Sequence, residues 1–170
     1  DRLFSLGVEK ICIQEAFFEQ QDFIREIIQK YGSQSLVISL DIKKNIFGEK
    51  KLYRSGSNKR SKSSYRDFVA KVAESGAGEL LLCSVDHEGE MSGLDYELIK
   101  EIKEMINIPL IVTGGVGNME HIANGFKAGA NAVAVGSFFI FKGPLRGVLI
   151  TYPTIEEINK LLWVKYVLNV

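Results

Sequence analysis

The stretch Ile108-Pro109-Leu110-Ile111-Val112-Thr113-Gly114-Gly115-Val116-Gly117-Asn118 decides how this chain is read. An apolar, β-branched run leads into a glycine-rich turn, and Asn118 stands where a helix cap belongs. That is a strand, a tight turn and a helix start in close succession. A phosphate group needs several backbone N–H groups converging without Cβ obstruction. A glycine-rich strand-to-helix turn supplies them, and the dipole of the following helix favours negative charge. Alone, the motif fits an ordinary turn as well as a phosphate site.

Reading outward, the same unit recurs. Downstream, residues 131–135 (Asn-Ala-Val-Ala-Val) form a second apolar run that ends in Gly136-Ser137. Upstream, residues 79–85 end at Asp86, residues 35–40 end at Asp41, and residues 10–14 make a further short strand. Helical patterns lie between them. One spans 20–31, with Phe23, Ile24, Ile27, Ile28 and Tyr31 on one face and Gly32 as its stop. Others cover 64–74 (Phe68, Val69, Val72), 95–106 (Leu98, Ile99, Ile102, Met105) and 118–127. Ser64 with Asp67, and Thr154 with Glu157, have capping-box spacing, and a last helix is expected from Thr154.

Strands alternating with helices imply an α/β fold with a parallel sheet. Runs apolar on both faces are expected to be buried on both sides. A doubly wound sheet gathers its ligand residues at one switch point, whereas a TIM barrel spreads them over many strand ends. Here Asp41, Asp86, Thr113 to Gly115, and Gly136-Ser137 all fall at strand ends. The (β/α)8 TIM barrel is therefore the expectation, with only its C-terminal five βα units, strands 4–8, represented. Residues 1–170 read as a single partial barrel domain with a helix remnant at 1–6. The chain opens with Asp1, so we expect a piece of a longer protein. Residues 45–63 interrupt the pattern with Lys50, Lys51, Arg54, Lys59, Arg60 and Lys62. They are expected to form a basic loop or hairpin after the Asp41 strand. Residues 138–170 make a C-terminal tail and helix.

Composition excludes several classes. A net charge of zero points to neither nucleic acid nor a membrane surface, and no apolar run reaches the ~18 residues of a membrane span. A cytoplasmic setting is the default expectation. Cys12 and Cys83 sit in apolar runs and read as buried strand thiols. His87 and His121 lie far apart in sequence, so no metal site and no cofactor is called for.

Two groups carry possible chemistry beyond the glycine turns. Asp41, at the end of its strand, would project at a barrel mouth as a general acid or base, or serve as a loop-organising carboxylate. Asp86 and Glu88 place two carboxylates at one strand end, where turn-making is the commoner role.

Taken together, these residues resemble the cyclase subunit of imidazole glycerol phosphate synthase. The resemblance rests on Val37-Ile-Ser-Leu-Asp41-Ile-Lys43, Gly76 to Asp86 with Gly89 and Ser92-Gly93, Val112 to His121, and Ala134 to Ser137. It implies that Asp41 is a catalytic aspartate and that Gly89, Gly115, Gly136 and Ser137 bind a substrate phosphate, a set to which the glycine-rich turn itself adds Thr113 and Gly114. It implies that Lys10 and Glu79 form a gate at the opposite end of the barrel, where ammonia enters from a glutamine amidotransferase partner. A salt bridge alone would also account for that pair. The resemblance places a partner aspartate on a first strand that this chain does not contain, so the segment alone is expected to be inactive. Its second phosphate site aligns with Gln14 and Glu15, and a carboxylate there opposes a phosphate. The tail from Phe139 to Pro153 resembles paralogues associated with sugar amidation in surface-polysaccharide pathways.

Overall fold

β-Branched runs and amphipathic stretches alternate to give the architecture of the computed structural model, which describes residues 1–57, 59–61 and 63–160. Lys62 and the tail beyond residue 160 lie outside the described residues. The elements in chain order are α1 (Arg2–Ser5), β1 (Ile11–Ile13), α2 (Glu15–Glu19), α3 (Gln21–Tyr31), β2 (Leu36–Lys44), β3 (Lys50–Arg54), β4 (Lys59–Arg60) and α4 (Tyr65–Ser75). They continue with β5 (Glu79–Ser84), α5 (Tyr96–Met105), β6 (Leu110–Thr113), α6 (Met119–Lys127), β7 (Ala132–Val133), α7 (Ser137–Ile140), β8 (Phe141–Lys142) and β9 (Gly147–Val148).

The main sheet runs β4-β3-β2-β5-β6-β7, and β1 joins β2 beside β3. The pairs β1–β2, β2–β5, β5–β6 and β6–β7 are parallel, which is the strand–helix–strand arrangement the alternation demanded. β3 and β4 are antiparallel additions from the basic segment. A separate β8–β9 ribbon follows β7.

Side chains alternate between the two faces along each strand. Leu36, Ile38, Leu40, Ile42, Leu80, Leu82, Leu110 and Val112 are buried in one cluster with Ile24 and Ile27 of α3, Phe68 and Val72 of α4, Leu98 and Ile102 of α5, and Ile122 of α6. Truncating a leucine in this layer, such as Leu80, removes contacts worth about 2–5 kcal/mol. The intervening residues belong to the other face. There Ser39, Leu81, Ile111 and Thr113 are only half-buried, and Cys12 and Ala132 are exposed. The expectation of burial on both faces is therefore corrected in part: the described helices pack on one face, and on the other Val37, Asp41 and Cys83 are buried while their neighbours are not. Cys12 is corrected with it, because β1 pairs with β2 alone and its middle side chain points to the uncovered face.

Caps explain where the helices begin. Ser64 Oγ accepts from Arg66 N–H at 3.1 Å, Asp95 Oδ1 from Leu98 N–H at 3.0 Å, and Asn118 Oδ1 from His121 N–H at 2.8 Å. Thr154 and Glu157 cap each other reciprocally ahead of a helix at 155–160. Gly76 ends α4 in the left-handed region at φ +80°. On α3, Ile24 and Ile27 are buried, but Phe23 is 42% exposed at the edge of the stripe. The strand expected from residue 108 begins at Leu110, since Pro109 has no N–H to donate; its carbonyl still accepts from Leu80 N–H at 3.0 Å.

Candidate functional site

Three consecutive parallel strands bring their C-terminal ends together, and the turns after them enclose a cleft. Glu88, Gly89, Thr113, Gly114, Gly115, Val116, Ala134, Gly136 and Ser137 line it. Its volume of about 110 Å³ is several times what one water needs, so it can take a small polar group. All six residues singled out for a phosphate, from three separate turns, line this one cleft.

The glycines differ in why they are glycine. A Cβ on Gly114, at φ +94°, would come within 2.6 Å of Ser84 O. One on Gly115, at φ +105°, would come within 2.1 Å of Gly93 O. Gly93 N–H also donates to Gly115 O at 2.7 Å, and His87 Nδ1 lies 2.8 Å from Gly93 O. These contacts pack the turn after β5 against the turn after β6, so Gly115 is required by the fold itself. A Cβ on Gly136 would meet nothing within 4 Å. Its backbone borders open space in the cleft.

Asp41 is placed differently from its sequence reading. β2 continues three residues past it, because β3 folds back antiparallel and extends the ladder through Lys44. Asp41 is therefore inside the strand, 8% exposed, and does not project at a rim. Its carboxylate is satisfied on both sides: Ser39 Oγ donates to Oδ1 at 2.8 Å, and Ser55 Oγ donates to Oδ2. Two hydroxyl donors offset the cost of burying that charge. Asp41 is opposite Cys83, and Cys83 is opposite Thr113 on the cleft wall. Two strand spacings, roughly 10 Å, thus separate Asp41 from the cleft along one row of the sheet.

Asp86 and Glu88 part company. Asp86 sits in a short 3-10 turn, and its Oδ2 accepts from Lys44 N–H at 2.5 Å, which ties the end of β2 to β5. Only Glu88 reaches the cleft. At the other end of the sheet, Lys10 and Glu79 form an ion pair of 2.5 Å at the starts of β1 and β5. Gln14 and Glu15, beyond the end of β1, are both engaged by the hairpin. Gln14 Nε2 donates to Tyr53 O at 3.1 Å, and Gln14 Oε1 accepts from Ser55 N–H at 2.9 Å. Glu15 and Glu19 both pair with Arg54. The hydrogen bond from Arg54 holds the Glu15 carboxyl below the usual carboxylate range.

Sequence reading missed Ser39 and Ser55 as partners of Asp41. Ser39 could have been found, since positions i and i+2 share a face of a strand. Ser55 could not, because its reach depends on the hairpin register that pairs Asp41 with Tyr53. Among the described residues no group of three His, Cys, Asp or Glu side chains could hold a metal ion, and no helix is long and apolar enough to cross a membrane. A larger apolar cavity of about 240 Å³ lies against α1, between Phe4, Ile11, Ile27 and Tyr31, far from the strand ends.

A parallel sheet with helices on one face and a glycine-lined cleft at its strand ends defines a segment of an α/β barrel. Comparison with known families agrees: residues 1–145 match the model described as histidine biosynthesis protein, and the chain belongs to that family. Among its relatives, a Vibrio vulnificus protein carried as a candidate imidazole glycerol phosphate synthase subunit, hisF3, is 36% identical over 167 residues, which are 95% of this chain and 63% of the relative. A Pseudomonas aeruginosa protein carried as a candidate hisF2 subunit is 36% identical over 162 residues, with the same coverages of 95% and 63%. The imidazole glycerol phosphate synthase subunit HisF of Thermobifida fusca is 39% identical over 146 residues, 83% of this chain and 57% of the relative. The chain thus spans about 63% of the length of the first of these curated relatives.

Proposed function

We propose that this chain is part of an ammonia-using, cyclase-type synthase barrel. It binds a phosphorylated small molecule in the cleft at Gly89, Thr113, Gly114, Gly115, Gly136 and Ser137. Asp41 serves as general acid or base on the reacting part of the same molecule. The observation that carries this reading is the convergence of those six residues from three turns on one cleft, a short molecule's length from a buried, oriented carboxylate. Gly136 supports it further, since no described residue occupies the space its missing side chain leaves. Glu88 on the cleft wall disfavours a phosphate set directly against it and suits a ligand hydroxyl, from which it can accept a hydrogen bond.

Ammonia comes from a glutamine amidotransferase partner docked at the Lys10–Glu79 end of the sheet, opposite the cleft. The geometry that favours this is the ion pair between Lys10 and Glu79 at the strand starts.

The pathway we favour is sugar amidation in nucleotide-sugar or surface-polysaccharide synthesis. Gln14 and Glu15 are tied to the hairpin and carry no free donor set for a second phosphate at the end of β1. A histidine-pathway cyclase, which closes imidazole glycerol phosphate from a bis-phosphorylated ribonucleotide, is the second reading, and the relatives' names favour it. Complementation of a histidine auxotroph by the full-length protein separates the two. We expect no growth; growth overturns the sugar-amidation role as exclusive. A barrel that only conducts ammonia predicts full activity of Asp41→Asn in the assembled complex, where we expect loss.

A further inference from the structure

Asp41 owes its orientation to a part of the chain distant from its own strand. One carboxylate oxygen takes the hydroxyl of Ser39, a neighbour on the same face of β2. The other takes the hydroxyl of Ser55, from the turn after β3. That turn is itself fixed by contacts beyond the end of β1. Ser55 N–H donates to Gln14 Oε1, and the Gln14 amide donates back to Tyr53 O, so one side chain grips the hairpin on both sides of Arg54. Arg54 is bound by Glu15 and Glu19 and lies over the Phe18 ring, 4.7 Å from its centroid. Gly56 lies so close to Glu15 that a Cβ there would come within 2.8 Å of Glu15 Cγ.

From this geometry we propose that Ser55 is a positioning residue for Asp41, delivered by the hairpin, and that Gln14 and Arg54 are the clamp that sets it. The proposal rests on the acid/base role given to Asp41, but its structural half stands apart from that role. A carboxylate held by one hydroxyl can rotate about its last torsion, whereas two donors on opposite oxygens fix its plane. Asp41 so fixed stands in the row of the sheet that runs through Cys83 to Thr113 on the cleft wall. The clamp also explains why Gln14 and Glu15 are unavailable to a ligand: they hold the hairpin.

The test uses the side-chain carboxyl 13C resonance of Asp41 in the labelled full chain, assigned by its loss in Asp41→Asn. Ser55→Ala is expected to move that resonance, and Ser55→Thr, which keeps the hydroxyl at an exposed position, to restore it. Gln14→Leu, which never touches Asp41, is expected to move it in the same direction. An unmoved resonance in Ser55→Ala, or no rescue by Ser55→Thr, overturns the positioning role. An unmoved resonance in Gln14→Leu overturns the clamp. In the assembled full-length complex, full activity of Asp41→Asn sinks the acid/base reading and leaves the NMR result standing.

Discussion

Asp41 and Cys83 are direct partners in the parallel β2–β5 ladder, on the face of the sheet opposite the described helices. The pairing shapes the thiol. Burial pushes the Cys83 pKa up to about 12, with the charges of Glu88 and then Asp41 adding to it. A thiol so raised stays protonated and unreactive near neutral pH. Cys12, on the exposed edge of the same face, is open to reagents. We expect a maleimide to modify Cys12 and spare Cys83 in the native chain, and to modify both in denaturant. Mass spectrometry of the digest reads the outcome.

Gly115 and Gly136 line the same cleft but answer to different demands, and substitution separates them. Gly115→Ala must place a Cβ against Gly93 O at φ +105°. Backbone strain of that kind alone costs about 1–3 kcal/mol, so a clear drop in Tm is expected. Gly136→Ala meets no neighbour. It should keep the wild-type Tm and lose affinity for inorganic phosphate, measured by calorimetry.

The hairpin clamp carries its own pH dependence. Arg54 depresses the Glu15 carboxyl relative to the unfolded chain, where an ordinary glutamate titrates at about 4.3. Its contribution is complete above that ordinary value and is lost as pH falls through the lower, folded value. Amide exchange at residues 50–57, corrected for intrinsic pH effects, should therefore show full protection above about pH 5 and loss of protection in more acid solution. In Glu15→Gln that loss should shrink.

The ion pair between Lys10 and Glu79 has a 46% exposed lysine side chain, so its contribution to stability is small, less than about 1 kcal/mol. Lys10→Met should leave Tm nearly unchanged. If the pair lies on the ammonia route, the same variant impairs glutamine-dependent turnover in the assembled complex and spares turnover with ammonium salt. Equal effects on both nitrogen sources would remove the gate role.

The strand and helix order was legible because short continuous apolar runs such as Leu80 to Cys83 alternate with stripes spaced three to four apart, as in Leu98, Ile99 and Ile102. The cleft was legible because glycines recur in two adjacent strand-end turns, where bare backbone N–H groups from both can converge on one anion. Long-range relationships were not. Nothing local to Asp41 announces that β2 runs on to Lys44, since that extension exists only because β3 pairs with it. Nor does the sequence around Cys12 report that β1 has one neighbour and a bare face. Exposure of that kind belongs to the assembled sheet. The short helix α2 was missed for a related reason: five residues give too little periodicity, and it is held by Phe17 packing against Phe68.

If the turns after β5, β6 and β7 form one phosphate site, titrating inorganic phosphate into the 15N-labelled chain gives saturable amide shifts at Gly89, Gly115, Gly136 and Ser137. Those shifts are lost in Ser137→Asp, where a like charge enters the cleft. A flat titration at these four residues, or shifts confined to the basic hairpin, would contradict a shared phosphate site.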